Sequence, residues 1–209
     1  MNPEGENIVD KKNHSISFFD TQFQHQVGSA EYALNPFEQA ILPYLHGEVL
    51  DLGCGLGNLA VAAAEKGCKV TALDASQTAV ADLARRAREQ HLPIEARQAD
   101  LRRYATDKRY DCVTCIGLLM FFNREDALAG LAALGEMVRP GGIVVVNVLI
   151  EGTTFMGMFD PDAHYLFSET EVRHPFQGWN EEYAQVDVFP APNGTVKRFF
   201  TLVAKRPLN

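Results

Sequence analysis

From Glu48 onward the chain alternates short apolar runs with helix-forming stretches, and this alternation constrains its fold more than any other feature. Val49-Leu50-Asp51-Leu52 is a strand-like run that ends in glycines. Residues 59–66 are rich in alanine, suit a helix and stop at Gly67. Residues 69–73 read as a second strand, followed by Asp74. Ser76 is placed to cap a helix reaching about Gln90, with Arg85, Arg86 and Arg88 in its later turns, where the helix dipole favours cations. Third and fourth strands follow at 94–98 and 110–116, then a helix at 127–138. Arg139-Pro140-Gly141-Gly142 is a turn into the most apolar strand, 143–149. Strands separated by helices of about 10 to 15 residues predict parallel βαβ units. The run at 143–149 is continuous rather than alternating, as expected of a central parallel strand covered on both faces. Two later strand-like runs, 184–189 and 199–204, flank Ala191-Pro192-Asn193-Gly194, so an antiparallel hairpin is expected there. The predicted fold class is α/β, a doubly wound and mostly parallel sheet ending in that hairpin. Residues 1–46 are polar at first and then aromatic (Phe18, Phe19, Phe23, Tyr32, Phe37). They are read as a helical lid segment lying over the sheet edge, with residues 47–209 as the main domain.

With 209 residues the chain suits one large domain. Its apolar fraction of 46% and charged fraction of 22% exclude a wholly disordered, collagenous or coiled-coil chain. A net charge of −8 opposes general affinity for nucleic acid or anionic lipid. Cys54, Cys68, Cys112 and Cys115 lack the spacing of a disulfide scaffold. The polar residues 1–15 contain no apolar signal region. The longest apolar stretch is broken by Asn147 and is far short of the roughly 20 residues a membrane helix needs. The expectation is a soluble, cytoplasmic protein, monomer or homodimer, that acts on a small molecule and has no nucleic-acid or membrane partner.

The segment Asp51-Leu52-Gly53-Cys54-Gly55-Leu56-Gly57 sits where the first strand becomes the first helix. Its glycines permit backbone conformations closed to other residues and let a ligand approach the main chain. Ligands of open parallel sheets bind beyond the carboxyl ends of the strands. A dinucleotide fingerprint is G-x-G-x-x-G with a pyrophosphate on the helix N-terminus. Here the spacing is G-x-G-x-G, Asn58 occupies the place of the third glycine, and an acid precedes the loop. A carboxylate there opposes a pyrophosphate and favours a cation. Asp74 ends the second strand, where an acid accepts ribose hydroxyls, and Asp100 ends the third, within reach of an adenine amino group. Three acids at successive strand ends describe a site for a nucleoside with positive charge, and S-adenosylmethionine is such a molecule.

These residues resemble a known family. The loop 51–57 resembles motif I of class I S-adenosylmethionine-dependent methyltransferases, Asp74 resembles the acid of their second motif, and Ala99-Asp100-Leu101 their third. Tyr110-Asp111-Cys112-Val113 is similar to the opening of their fourth strand, and residues 139–142 to the turn before the fifth. The resemblance covers about residues 47 to 206. It implies a seven-stranded sheet with strand seven antiparallel. It also implies cofactor contacts at Asp51, Gly53, Cys54, Gly55, Asp74, Ala75, Asp100, Leu101, Cys115 and Ile116. A narrower resemblance, carried by residues 117–122, 167–174 and Gly178-Trp179, is to the tellurite-resistance methyltransferases. Those act on small, soft, anionic or thiol-like acceptors. The chain departs from that family in having Asn58-Leu59 where Arg-Asn is expected, and in its longer N-terminal segment.

Other constellations carry less. Cys112-x-x-Cys115 has metal or redox spacing, but both lie on a predicted strand, where positions three apart point to opposite faces. No metal is expected. The histidines show no H-x-x-x-H or H-E-x-x-H pattern, and no serine sits in a G-x-S-x-G elbow. Gly-Lys-Ser/Thr of a triphosphate loop is absent. So is the Asn/Asp-Pro-Pro-aromatic motif of enzymes that methylate amino groups. Methyl transfer from a sulfonium is an in-line displacement in which the protein mainly positions the partners. His25 or His174 are the candidates for a general base, and Arg173 for binding an anionic acceptor. Three classes stay open. The first is a small-molecule methyltransferase, with a thiol or chalcogen oxyanion as acceptor. The second is a protein or RNA methyltransferase of the same fold. The third is a dinucleotide oxidoreductase or a non-catalytic binding module.

Overall fold

The computed structural model describes residues 14–29, 32–102 and 104–208, so the polar tail expected at 1–13 lies outside the described residues. Seven strands form one sheet: β1 (Glu48–Leu52), β2 (Lys69–Asp74), β3 (Ile94–Gln98), β4 (Tyr110–Ile116), β5 (Val138–Leu149), β6 (Asn180–Pro190) and β7 (Val196–Lys205). Their spatial order is 3-2-1-4-5-7-6. The first five strands are parallel, and β7 runs antiparallel to both β5 and β6. The doubly wound sheet with a reversed C-terminal hairpin therefore forms as the pattern predicts. Because β1 lies between β2 and β4, the chain winds away from β1 in both directions. The loops leaving β1 and β4 part there and open a crevice.

The helices are α1 (His14–Ser29), α2 (Pro36–Ile41), α3 (Asn58–Glu65), α4 (Gln77–Glu89), α5 (Arg124–Glu136) and α6 (Glu169–Arg173). Successive strand residues point to opposite faces, so each central strand feeds two cores. On β1, Val49 packs with Ile41, Ala60 and Leu83 beneath α2, α3 and α4. Its neighbour Leu50 packs with Ala127, Leu131 and Leu134 of α5 on the other side. β5 is buried on both faces from Ile143 onward, which explains why its run is apolar apart from Asn147. Each fully buried leucine or isoleucine contributes roughly 1.5–3 kcal/mol.

Three boundaries differ from the sequence reading. Helix α5 starts at Arg124, because the Asn123 side chain accepts a hydrogen bond from the Asp126 amide at 2.9 Å and caps it. The helix stops at Glu136, because Val138 pairs with Tyr110 and is already strand. The turn 139–142 is therefore a bulge inside β5, not a lead-in to it. β6 begins at Asn180, four residues before the expected start, and a register shift between Glu181 and Tyr183 lies within it.

The N-terminal segment also sits differently from the expectation. Helix α1 lies over the carboxyl ends of the strands rather than a sheet edge: Phe23 faces Gly55, and Phe19 packs edge-on against Phe121 at 5.0 Å. Ile41 and Leu45 are buried in the main core with Val49 and Val203.

Candidate functional site

The crevice is a cavity of about 880 Å³, walled by the glycine loop, the ends of β1, β2, β4 and β5, and helices α1 and α2. The loop is folded by its own backbone. The amides of Gly53 and Cys54 both donate to the Leu73 carbonyl, at 2.8 and 3.0 Å, and Gly57 caps α3. Gly57 has φ +71°, and a Cβ there would meet the Leu83 side chain at 2.4 Å, so only glycine fits. From behind, Arg86 of α4 donates to the Leu56 carbonyl. Arg86 is itself buried, paired with Asp82 at 2.9 Å and covered by the Tyr32 ring at 4.2 Å.

Asp74 ties the loop to the next helix. One carboxylate oxygen accepts from the Gly55 amide and the other from the Ser76 amide, each at 2.8 Å. Asp51, only 4% exposed, accepts from the Thr114 hydroxyl at 2.7 Å. Burial is the main cause that lifts its pKa to about 7, and the neighbouring Glu38 and Asp74 add to the rise against the Thr114 bond. No basic side chain pairs with Asp51 among the described residues. Glu38 lines the same wall. It accepts from the Asn35 amide at 2.8 Å, and burial pushes its pKa upward. With Asp100, four carboxyl groups line this half of the cavity.

The other half is aromatic. Phe37 packs against Phe199 at 4.7 Å and against Phe189 at 5.4 Å, and Phe19, Phe121 and Phe155 complete the wall. Asn147 lies in its floor on β5 and is fully buried. Its Nδ2 donates to the Thr201 hydroxyl at 2.9 Å, while its Oδ1 has no partner.

Most residues expected to contact a cofactor meet here: Asp51, Gly53, Cys54, Gly55, Asp74, Ala75, Asp100, Leu101 and Ile116 all line the cavity. Cys115 does not. It points into the core under α5, fully buried, and Cys112 points to the opposite face, as strand alternation requires. Burial raises both thiols, Cys112 to about 12, which opposes thiolate chemistry. His25 is exposed on α1, whereas Phe19, Gln22, Phe23 and Gln26 of that helix line the cavity. Arg173, expected to bind an anionic acceptor, and His174, a candidate general base, are not among the residues that line the cavity. A Ser168–Glu171 capping box starts α6, and Val172 packs it onto the α5 side. There Arg173 pairs with Glu169 at 3.0 Å and Glu181 at 2.9 Å, over the Phe200 ring.

Sequence reasoning placed Phe19, Phe23 and Phe37 in a lid but missed Glu38, Thr114, Asn147, Lys197 and the later phenylalanines 121, 155, 189 and 199 as site residues. Of these, Asn147 left a signal, as the polar break in an otherwise apolar strand.

Residues 49–142 match the methyltransferase domain family. Over 194 residues the chain is 26% identical to hemagglutinin 1 of Eikenella corrodens, covering 88% of this chain and 62% of the relative. Several other curated relatives are ubiquinone biosynthesis O-methyltransferases; the chain spans between 35% and 62% of the length of the first relatives it matches. Among solved structures, TehB from Haemophilus influenzae superposes with a TM-score of 0.73 at 20% identity, covering 87% of this chain and 65% of that one. The 1,6-didemethyltoxoflavin-N1-methyltransferase of Burkholderia thailandensis, with S-adenosylhomocysteine bound, superposes at 0.69 and 18% identity, covering 99% and 93%. At these identities the structural likeness concerns the fold, which is that of class I methyltransferases.

Proposed function

We propose that this chain, whose residues 49–142 match the methyltransferase domain family, transfers a methyl group from S-adenosylmethionine to a small molecule held in the aromatic half of the cavity. The observation that carries the reading is Asp51: a buried carboxyl beside the glycine loop, with no basic partner among the described residues. Such a group is costly unless a cation meets it. S-adenosylmethionine bears an ammonium and a sulfonium, and a dinucleotide would instead bring a pyrophosphate against four carboxyl groups.

The residues fit the cofactor in kind. Gly53 and Gly55 bring no side chain of their own to the loop; the side chains of Leu118 and Phe23 stand against them. Asp74 is fixed by two amides at the end of β2, where an acid suits ribose hydroxyls. Asp100 and Leu101 stand at the end of β3. When bound, S-adenosylmethionine supplies an activated methyl group: the acceptor's electron pair bonds to the methyl carbon as the carbon–sulfur bond breaks, the sulfur keeps that pair and becomes neutral, and any acceptor proton leaves to solvent. The protein's work is then position and the exclusion of water. Helix α1, with Phe19 and Phe23 over the site, is the lid in this reading.

A small acceptor is favoured because the chamber that would receive it is walled by α1, α2 and the β6–β7 hairpin. Calorimetry with S-adenosylhomocysteine and with NAD tests the cofactor. Binding of the former alone is expected, and tight NAD binding with no response to S-adenosylhomocysteine refutes the reading. Transfer of label from methyl-labelled S-adenosylmethionine is then scored on aromatic alcohols, amines and thiols, on chalcogen oxyanions, and on RNA and protein. Exclusive labelling of RNA or protein would refute the small-molecule assignment.

A further inference from the structure

We infer that the acceptor is a planar, acidic aromatic molecule of roughly bicyclic size. It carries a hydroxyl or ring N–H that donates to Asn147 Oδ1 and an anionic group that meets Lys197. This rests on the methyltransferase reading and names the substrate class of the same site.

Three observations point to it. First, the chamber walls are rings: Phe19, Phe37, Phe121, Phe155, Phe189 and Phe199. Stacked and edge-on contacts favour another ring between them. A small, strongly hydrated oxyanion would lose its water there for little return. Second, Asn147 is fully buried on a central strand, lines the cavity and leaves Oδ1 without a partner. Buried polar atoms are otherwise nearly always bonded, so an unsatisfied acceptor on a residue of the cavity lining calls for a donor that a ligand can bring. Third, Lys197 also lines the cavity and makes no ion pair among the described residues; its ammonium lies 5.4 Å from the Phe155 ring centroid.

The spacing sets the size. Thr201, the partner of Asn147, and Lys197 are on β7, with Phe199 between them on the same face. At about 3.3 Å per residue, four residues separate their backbones by roughly 13 Å. The lysine side chain reaches back over part of that distance, which leaves room for a fused bicycle lying along Phe199. The four carboxyl groups are in the other half of the cavity, where the lining cation Arg102 is paired with Asp100 at 3.4 Å, so Lys197 is the lining cation left for a ligand anion among the described residues.

The test is a calorimetric titration with 6-hydroxy-2-naphthoate, 2-naphthoate, 2-naphthol and selenite, run with and without S-adenosylhomocysteine. The hydroxynaphthoate is expected to bind at least tenfold more tightly than 2-naphthoate, which lacks the hydroxyl, and selenite is expected not to bind. Asn147→Leu should abolish the difference between the first two. Lys197→Ala should weaken the naphthoates about tenfold and leave 2-naphthol nearly unchanged. If Asn147→Leu does not fold, the wild-type comparison of hydroxyl with hydrogen decides alone. Equal binding of hydroxynaphthoate and naphthoate, binding of selenite in preference to any naphthalene, or no naphthalene binding at all overturns the inference. Failure of S-adenosylhomocysteine to bind, scored separately in the same titrations, overturns the methyltransferase reading instead.

Discussion

The Asp51 carboxyl makes cofactor affinity depend on pH, in a direction and window that follow from its surroundings. Burial and the nearby Glu38 and Asp74 hold its pKa at about 7 in the free protein. The carboxylate fraction is then about one-tenth at pH 6 and about nine-tenths at pH 8. A ligand cation that needs the carboxylate binds roughly tenfold more weakly at pH 6, a difference of about 1.4 kcal/mol. Calorimetry with S-adenosylmethionine across this range should show that fall, with proton release on binding near pH 7. Asp51→Asn should flatten the profile and weaken binding at pH 8 by about 1.5–3 kcal/mol, the range for a hydrogen bond to a charged group. Thr114→Val removes the 2.7 Å hydroxyl bond that favours the carboxylate and should move the midpoint to higher pH. Stability runs the opposite way. The folded pKa exceeds the ordinary value of 3.8, so the folded state keeps a proton that the unfolded state gives up. Stability of the ligand-free protein is therefore greatest below about pH 4 as far as this group is concerned, and falls by up to about 1.4 kcal/mol per pH unit as pH rises through about 7. Wild-type and Asp51→Asn urea melts at several pH values isolate that slope. Equal affinity at pH 6 and pH 8, or the same pH dependence in Asp51→Asn, would refute the argument.

Gly57→Ala meets both a left-handed backbone and the Leu83 side chain, and should cost about 2–4 kcal/mol in a denaturant melt. If the clash is real, Gly57→Ala with Leu83→Val is destabilised by less than the sum of the single changes. Arg173→Ala breaks two half-exposed ion pairs and should cost under about 1 kcal/mol, with S-adenosylhomocysteine affinity and methyl transfer within about twofold of wild type; a large rise in KM for the acceptor would return Arg173 to the site. Hydrogen exchange with and without S-adenosylhomocysteine should show added protection across residues 14–29, and unchanged protection there would remove α1 from the role of lid.

The fold was legible because its determinants are local. Each strand announces itself by an apolar run, each glycine or cap marks an exit, and the parallel order follows from the helices between. Legibility failed at particular residues. The cap at Asn123 was hidden by a charged first turn, Arg124-Glu125-Asp126, that lacks apolar periodicity. Val138 looked like the end of a helix, since only its pairing with Tyr110 makes it strand.

The site divides along the same line. The carboxylate half was readable because Asp51, Asp74 and Asp100 each sit at the end of a strand whose position the local pattern already gives. The aromatic half assembles from residues 19, 37, 121, 155, 189 and 199, contributed by six separate segments. In the sequence, each of these phenylalanines looks the same as one that fills a core. Phe199 and Phe200 make the point: they are adjacent, and strand alternation sends one into the chamber and the other into the core beneath α5. Arg173 was assigned by its charge, but charge does not tell which face of the sheet its helix covers. Asn147 was different in kind. A polar residue in a strand buried on both faces has no water to turn to, so its presence already implied either an internal partner or a ligand. Thr201 satisfies one end of the amide, and the other end has no hydrogen-bond partner among the described residues.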